Sequence, residues 1–164
     1  ATIHMSFKGN QIQGDLGAFG DAIGRCVQLS NLMLDFSSCH RIGDAGVAAL
    51  GRGFGALVNL ATIHMSFEGC RAVGDAAMAA LGQGLRSLMN LTTIDLNFGR
   101  CDEIRDAGLV ALGQGLGAVV SLATIHLSFK HCWRLGDTGV AGFCQGLGAL
   151  TKLATIHITF KRCS

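Results

Sequence analysis

Asp95, His126 and Ser128 supply the residue types of a nucleophilic hydrolase: an acid to orient an imidazole, an imidazole to take a proton, a hydroxyl to attack. His64, Asp95, His126 and His157 are equally nitrogen and oxygen ligands suited to zinc. Both constellations fall on copies of one heptapeptide. Ala61-Thr62-Ile63-His64-Met65-Ser66-Phe67 stands unaltered at 1–7, and returns at 123–129 with one change and at 154–160 with two. His and Ser recur where no Asp lies alongside, on a face with no evident oxyanion hole or pocket, so the triad reads as a by-product of repetition. A solvated His–Asp ladder satisfies itself with hydrogen bonds and water, and adjacent His126 and His157 would repel each other when both are protonated. No catalytic residue, cofactor or metal is assigned.

Two further signals are weighed the same way. Gly113-Gln114-Gly115-Leu116-Gly117 has the glycine density of a phosphate-cradling loop. Such a loop must follow a strand and open a helix, whereas this one closes a helix and recurs in each unit as a turn. Of seven cysteines, five (Cys39, Cys70, Cys101, Cys132 and Cys163) share one repeat phase, which Asn10 occupies in the first unit. A position that takes Cys or Asn calls for a small group bonded to the backbone of a tight turn, not for a disulfide partner. Cys26 and Cys144 lie outside that phase, and no C-x-x-C occurs. Buried free thiols favour a reducing, intracellular compartment.

The elements that must carry these residues follow from the period. From Phe36 the chain steps by 31 to Phe67, Phe98, Phe129 and Phe160, and the first step, from Phe7, is 29. Within residues 60–90, Leu60, Ile63, Met65 and Phe67 alternate with Thr62, His64 and Ser66, which predicts a strand with one buried face. Met78, Leu81, Leu85 and Leu88 then recur at steps of three and four, the stripe of a helix of about ten residues ending near Leu85. Asp75 stands where that helix begins, as do Asp15, Asp44, Asp106 and Asp137 in the other units, each placed to accept the first free amides of its own helix.

The pattern L-x-x-I-x-M-x-F-x-x-C-x-x-V-G-D-A-A-M-x-x-L at 60–81 resembles the cysteine-containing and ribonuclease-inhibitor-like leucine-rich repeats, in lengthened units similar to those of protist repeat proteins. The resemblance runs through Leu29, Leu60, Leu91, Leu122 and Leu153 and the Asn10/Cys ladder, over essentially the whole chain. It implies an α/β solenoid, a horseshoe or arc with parallel strands on the concave face and short helices on the convex face. Units are expected at about 1–28, 29–59, 60–90, 91–121 and 122–152, with a lone strand in 153–164, the whole forming one segment of a longer array. The extra residues before the Cys position predict a third inward position at Phe67 and its equivalents.

The outward strand positions form ladders with neighbours about 4.8 Å apart. They are Thr62, Thr93 and Thr124; His64, Asp95, His126 and His157; and Ser66, Asn97 and Ser128. With Trp133 they make the expected partner-binding face, since the resemblance implies binding mostly by the concave face and its adjoining loops. Trp133 itself has two readings: an exposed contact anchor beside Lys130, His131 and Arg134, or a ring packed over the neighbouring loop. Charged residues make up 15% of the 164 and the net charge is +2, which argues against nucleic acid. No apolar run is long enough to span a bilayer as a helix. The expected function is a non-catalytic scaffold for protein–protein interaction within a larger protein or complex. The alternative is a building block of a filament, joined head to tail through the open edges of strands 2–7 and 155–160.

Overall fold

A computed structural model of the chain describes residues 1–12 and 16–163. Asp15, and the capping role expected of it, lies outside the described residues. Strands β1 (Thr2–Ser6), β2 (Asn31–Asp35), β3 (Thr62–Ser66), β4 (Thr93–Asn97), β5 (Thr124–Ser128) and β6 (Thr155–Thr159) alternate with helices α1 (Gly17–Gly24), α2 (Asp44–Phe54), α3 (Asp75–Leu85), α4 (Asp106–Gly117) and α5 (Asp137–Gly146). The strands form one open parallel sheet in sequence order, β1-β2-β3-β4-β5-β6. Its register is that of the repeat, so His64 pairs with Asp95, Asp95 with His126 and His126 with His157.

Stacking buries what no unit can bury alone. In β3, Ile63 and Met65 point inward with Leu60 before them and Phe67 after them, and in α3 Met78, Leu81 and Leu85 face the same core. Phe67 follows the last strand residue, yet its amide still bonds Asn97 O at 2.7 Å, so the ladder runs one step further and the third inward position is filled. The rings of Phe7, Phe36, Phe67, Phe98, Phe129 and Phe160 stack in one column, consecutive centroids 5.2–5.7 Å apart.

The cysteine column runs beside it. Cys70 donates its thiol to Phe36 O at 3.1 Å, Cys101 to Phe67 O at 3.3 Å and Cys132 to Phe98 O at 3.1 Å, and Cys39 and Cys163 do the same at the two ends of the column. Each thiol thus ties its loop to the preceding repeat and not to its own turn. Burial pushes Cys70 and Cys132 up to about 12 and raises Cys39, Cys101 and Cys163 as well. Asn10 takes this phase exposed, its backbone amide bonding Phe7 O.

Two expectations are corrected. Asp44, Asp75 and Asp106 do not cap their own helices, whose N-cap residues Gly43, Gly74 and Arg105 make no side-chain capping bond. Each instead accepts amides of the next unit. Asp44 Oδ1 takes Gly74 N at 2.8 Å and Ala77 N at 3.1 Å, and Asp106 Oδ1 takes Gly136 N at 2.8 Å. The acid sits inside the first turn, so its carboxylate projects sideways along the stack. Asp137, the equivalent in α5, is exposed. The Gly113–Gly117 segment is likewise no turn but the last turns of α4. A Cβ on Gly115 would collide with the backbone of Gly82, and one on Gly117 with that of Gly146. Close approach of neighbouring helices is what these glycines serve.

Candidate functional site

The outward side chains of the strands make one polar face. Thr62, His64, Ser66, Thr93, Asp95, Asn97, Thr124, His126 and Ser128 are all half-buried there, and His157 on the last strand is exposed. A shallow depression of about 440 Å³ lies over β1 to β4, lined on the outward face by the apolar side chain of Met33 and by His4, Asp35, His64, Ser66, Asp95 and Asn97. In its lining His64 Nδ1 stands 3.4 Å from Asp95 Oδ2. Both side chains are about 40% exposed (39% and 44%), so the pair is a solvated one.

This placement separates residues that their types would have grouped. Asp95 turns to His64, whereas the His126 ring faces that of His157, centroids 6.1 Å apart and nearly perpendicular. Among the described residues no hydrogen bond joins Asp95 to His126 or His126 to Ser128, so the triad is not assembled. Nor do three or more His, Cys, Asp or Glu side chains among them converge as a metal site would require.

The last outward position of β2, β3 and β4 has a structural task. Asp35 Oδ1 accepts Ser37 N at 2.9 Å, Asn97 Oδ1 accepts Gly99 N at 3.0 Å, and Ser66 Oγ accepts Glu68 N at 3.4 Å. These side chains close the turn that ends the strand. Burial alone would raise the Asp35 carboxyl, but its bonds with Ser37, the Lys8 charge and the Ser6 hydroxyl together hold it below the ordinary range. The turn then passes through a left-handed residue, which is Gly9 or Gly69 in two units but Ser38, Arg100, His131 or Arg162 in the others.

Trp133 is 55% exposed on the loop rim, its ring 5.6 Å from that of His131. Around it runs a lattice of charge: Arg134 to Glu103 at 2.7 Å, Arg105 to Glu103 at 3.8 Å and Arg71 to Asp102 at 3.8 Å. Of the residues expected to bind, His64, Ser66, Asp95 and Asn97 border the depression, while Thr124, His126, Ser128 and His157 lie beyond it. His4, Met33 and Asp35, members of the same outward ladders as His64 and Ser66 but outside the expected binding set, join it.

One layer of parallel strands backed by one layer of helices, a strand and a helix per repeat, defines a strand–helix solenoid. Residues 28–51 and 87–113 match the model of the Leucine Rich repeat family, and the repeating strand–helix units along the chain are consistent with a leucine-rich-repeat solenoid. Repeats of this family form a protein-interaction scaffold kind of domain. No curated protein matches the chain. Among the described residues no helix is long and apolar enough to cross a membrane.

Proposed function

We propose that the chain is a non-catalytic scaffold within a larger protein or complex, holding a protein partner on its strand face with the depression over β1 to β4 as the centre of contact. The observation that carries this reading is the depression itself, where the apolar side chain of Met33 lies among the ionisable groups of His4, Asp35, His64 and Asp95. Apolar surface with a few convergent polar groups is the usual make-up of a recognition site. The family, generally non-catalytic, supports the scaffold role.

Photo-crosslinking tests it. A photoreactive residue replaces Met33 in one protein and Gln83, exposed on α3, in another, and adducts formed in extracts of the source are identified by mass spectrometry. The expected result is a protein adduct from position 33 that Asp95→Arg abolishes with the fold intact. Adducts from position 83 alone, or a yield indifferent to Asp95, would sink the proposal. Particles that lengthen with concentration would favour the filament alternative instead.

A further inference from the structure

On the rim opposite the loops, each helix ends and a short turn leads into the next strand. Val27, Val58, Met89 and Val120 occupy one phase of these turns, at steps of 31, and are 45%, 52%, 61% and 48% exposed. The other large exposed apolar residues among those described are Trp133 and two on the outermost strands, Met5 and Ile156. The four therefore form a continuous ridge and not a scatter of singly exposed side chains.

Two further observations define what the ridge fits. Adjacent turns are stapled: Asn59 Nδ2 donates to Val27 O at 3.0 Å, Asn90 Nδ2 to Val58 O at 2.8 Å, and Ala61 N to Ser30 O at 2.8 Å. The ridge residues are thus held at close to the spacing of the sheet, about 4.8 Å. The ridge is also flanked by cations alone. Arg25, Arg52, Arg86 and Lys152 lie in or beside the turns, whereas segments 24–30, 52–61, 83–92, 114–123 and 145–154 contain no Asp or Glu. Part of this charge offsets the negative helix ends. The four side chains nevertheless remain exposed, outside every ion pair among the described residues.

We infer that this rim is a second docking surface, separate from the strand face, and that its partner is an acidic amphipathic helix. An α-helix advances about 5.4 Å per turn, so a helix laid along the ridge sets one apolar side chain per turn against each ridge residue in near register. Carboxylates on either side of that stripe meet Arg25, Arg52, Arg86 and Lys152. Charge complementarity and the match of pitch favour this occupant over an anionic membrane surface. One row of Val and Met with no aromatic residue and four dispersed cations is poor equipment for holding a bilayer.

The probes are two helical peptides of about 16 residues, each with one leucine per turn, flanked by glutamates in one and by lysines in the other. Binding to the chain is followed by fluorescence anisotropy, with vesicles of phosphatidylserine and phosphatidylcholine as the third probe. The glutamate peptide is expected to bind at least about tenfold more tightly than its lysine twin. Val58→Asp/Met89→Asp, or the milder Val58→Thr/Met89→Gln, should weaken it about tenfold or more. Arg52→Glu/Arg86→Glu should reverse the preference toward the lysine peptide, and Asp95→Arg on the strand face should leave binding unchanged. Each variant is first matched to the parent by circular dichroism. No binding of the glutamate peptide, equal binding of the two peptides, insensitivity to the ridge substitutions, or binding to vesicles alone would overturn the inference. The crosslinking at Met33 reads the strand face independently of all these outcomes.

Discussion

Asp75 opens α3, yet its Oδ1 accepts the amides of Arg105 at 2.7 Å and Gly108 at 3.1 Å, at the start of α4. One carboxylate thus caps the neighbouring repeat and couples two units through bonds that neither makes within itself. Asp75→Ala should destabilise the chain by about 1–2 kcal/mol, the cost of a lost cap with charged acceptor character. Asp75→Asn, which keeps an acceptor oxygen, should cost less. Asp137→Ala, at an exposed carboxylate, should change stability by under about 0.5 kcal/mol. Urea denaturation of the three variants checks the order, and an equal loss at Asp75 and Asp137 would contradict cross-repeat capping.

The helix glycines make a prediction opposite in sign to helix propensity. Alanine is favoured over glycine by about 1 kcal/mol in a helix interior, so propensity alone has Gly115→Ala stabilising. The added Cβ meets Gly82 Cα and carbonyl, and backbone cannot swing aside, so the substitution should instead destabilise by about 1–3 kcal/mol. Gly148→Ala, whose Cβ meets nothing within 4 Å, is the neutral control. Thermal melts of both variants settle the sign.

The thiol column ties stability to alkaline pH. Cys70 and Cys132 ionise in the folded chain only near 12, against an ordinary value of 9.0. A raised folded value means the unfolded chain loses its protons first. The contribution is therefore complete below about pH 9 and is lost between there and about 12, at roughly 1.4 kcal/mol per pH unit for each thiol. Denaturant midpoints at pH 8 and pH 10.5 should fall accordingly, and a flat profile would refute the burial. With a thiol reagent at neutral pH, exposed Cys26 and Cys144 should react at once and Cys39, Cys70, Cys101 and Cys132 only on unfolding.

Asp35 acts at the other end of the scale. Its carboxyl is held below the ordinary range, so its stabilising bonds with Ser37 and Ser6 are present above the unfolded value and are lost as pH falls through the folded one. Asp35→Asn should flatten the acid limb of the stability profile measured by denaturation between pH 5 and pH 2. An unchanged acid limb would assign it to other carboxylates.

His64 and Asp95 touch but are both substantially exposed, so their coupling should be small. A double-mutant cycle with His64→Ala and Asp95→Ala should return less than about 1 kcal/mol. That result would also license substitutions on the strand face as probes of binding, since they would leave the fold intact.

Much of the molecule was legible in the chain. The alternation through Ile63, Met65 and Phe67 and the stripe through Met78, Leu81 and Leu85 place β3 and α3, and the 31-residue period carries them to the other units. The buried column of Cys39, Cys70, Cys101 and Cys132 follows from the same phase. Periodicity reports which face of an element is buried, because burial selects residue type one position at a time.

What a repeat cannot report is the offset between one copy and the next, and there only the tertiary structure decides. Asp75 has the composition of a cap for its own helix, but its lateral position sends the carboxylate to Gly108. Gly115 and Gly82 are costly to a helix by propensity, and only where their helices meet does closeness of backbones give the reason for both. Asp95 had a His in register on either side, and its pairing with His64 over His126 depends on side-chain rotation that no spacing encodes. Strand, helix and period are properties of a unit and are written within its 31 residues. Capping, close helix contact and the depression over Met33 are properties of the interval between units, which exists only once they are stacked.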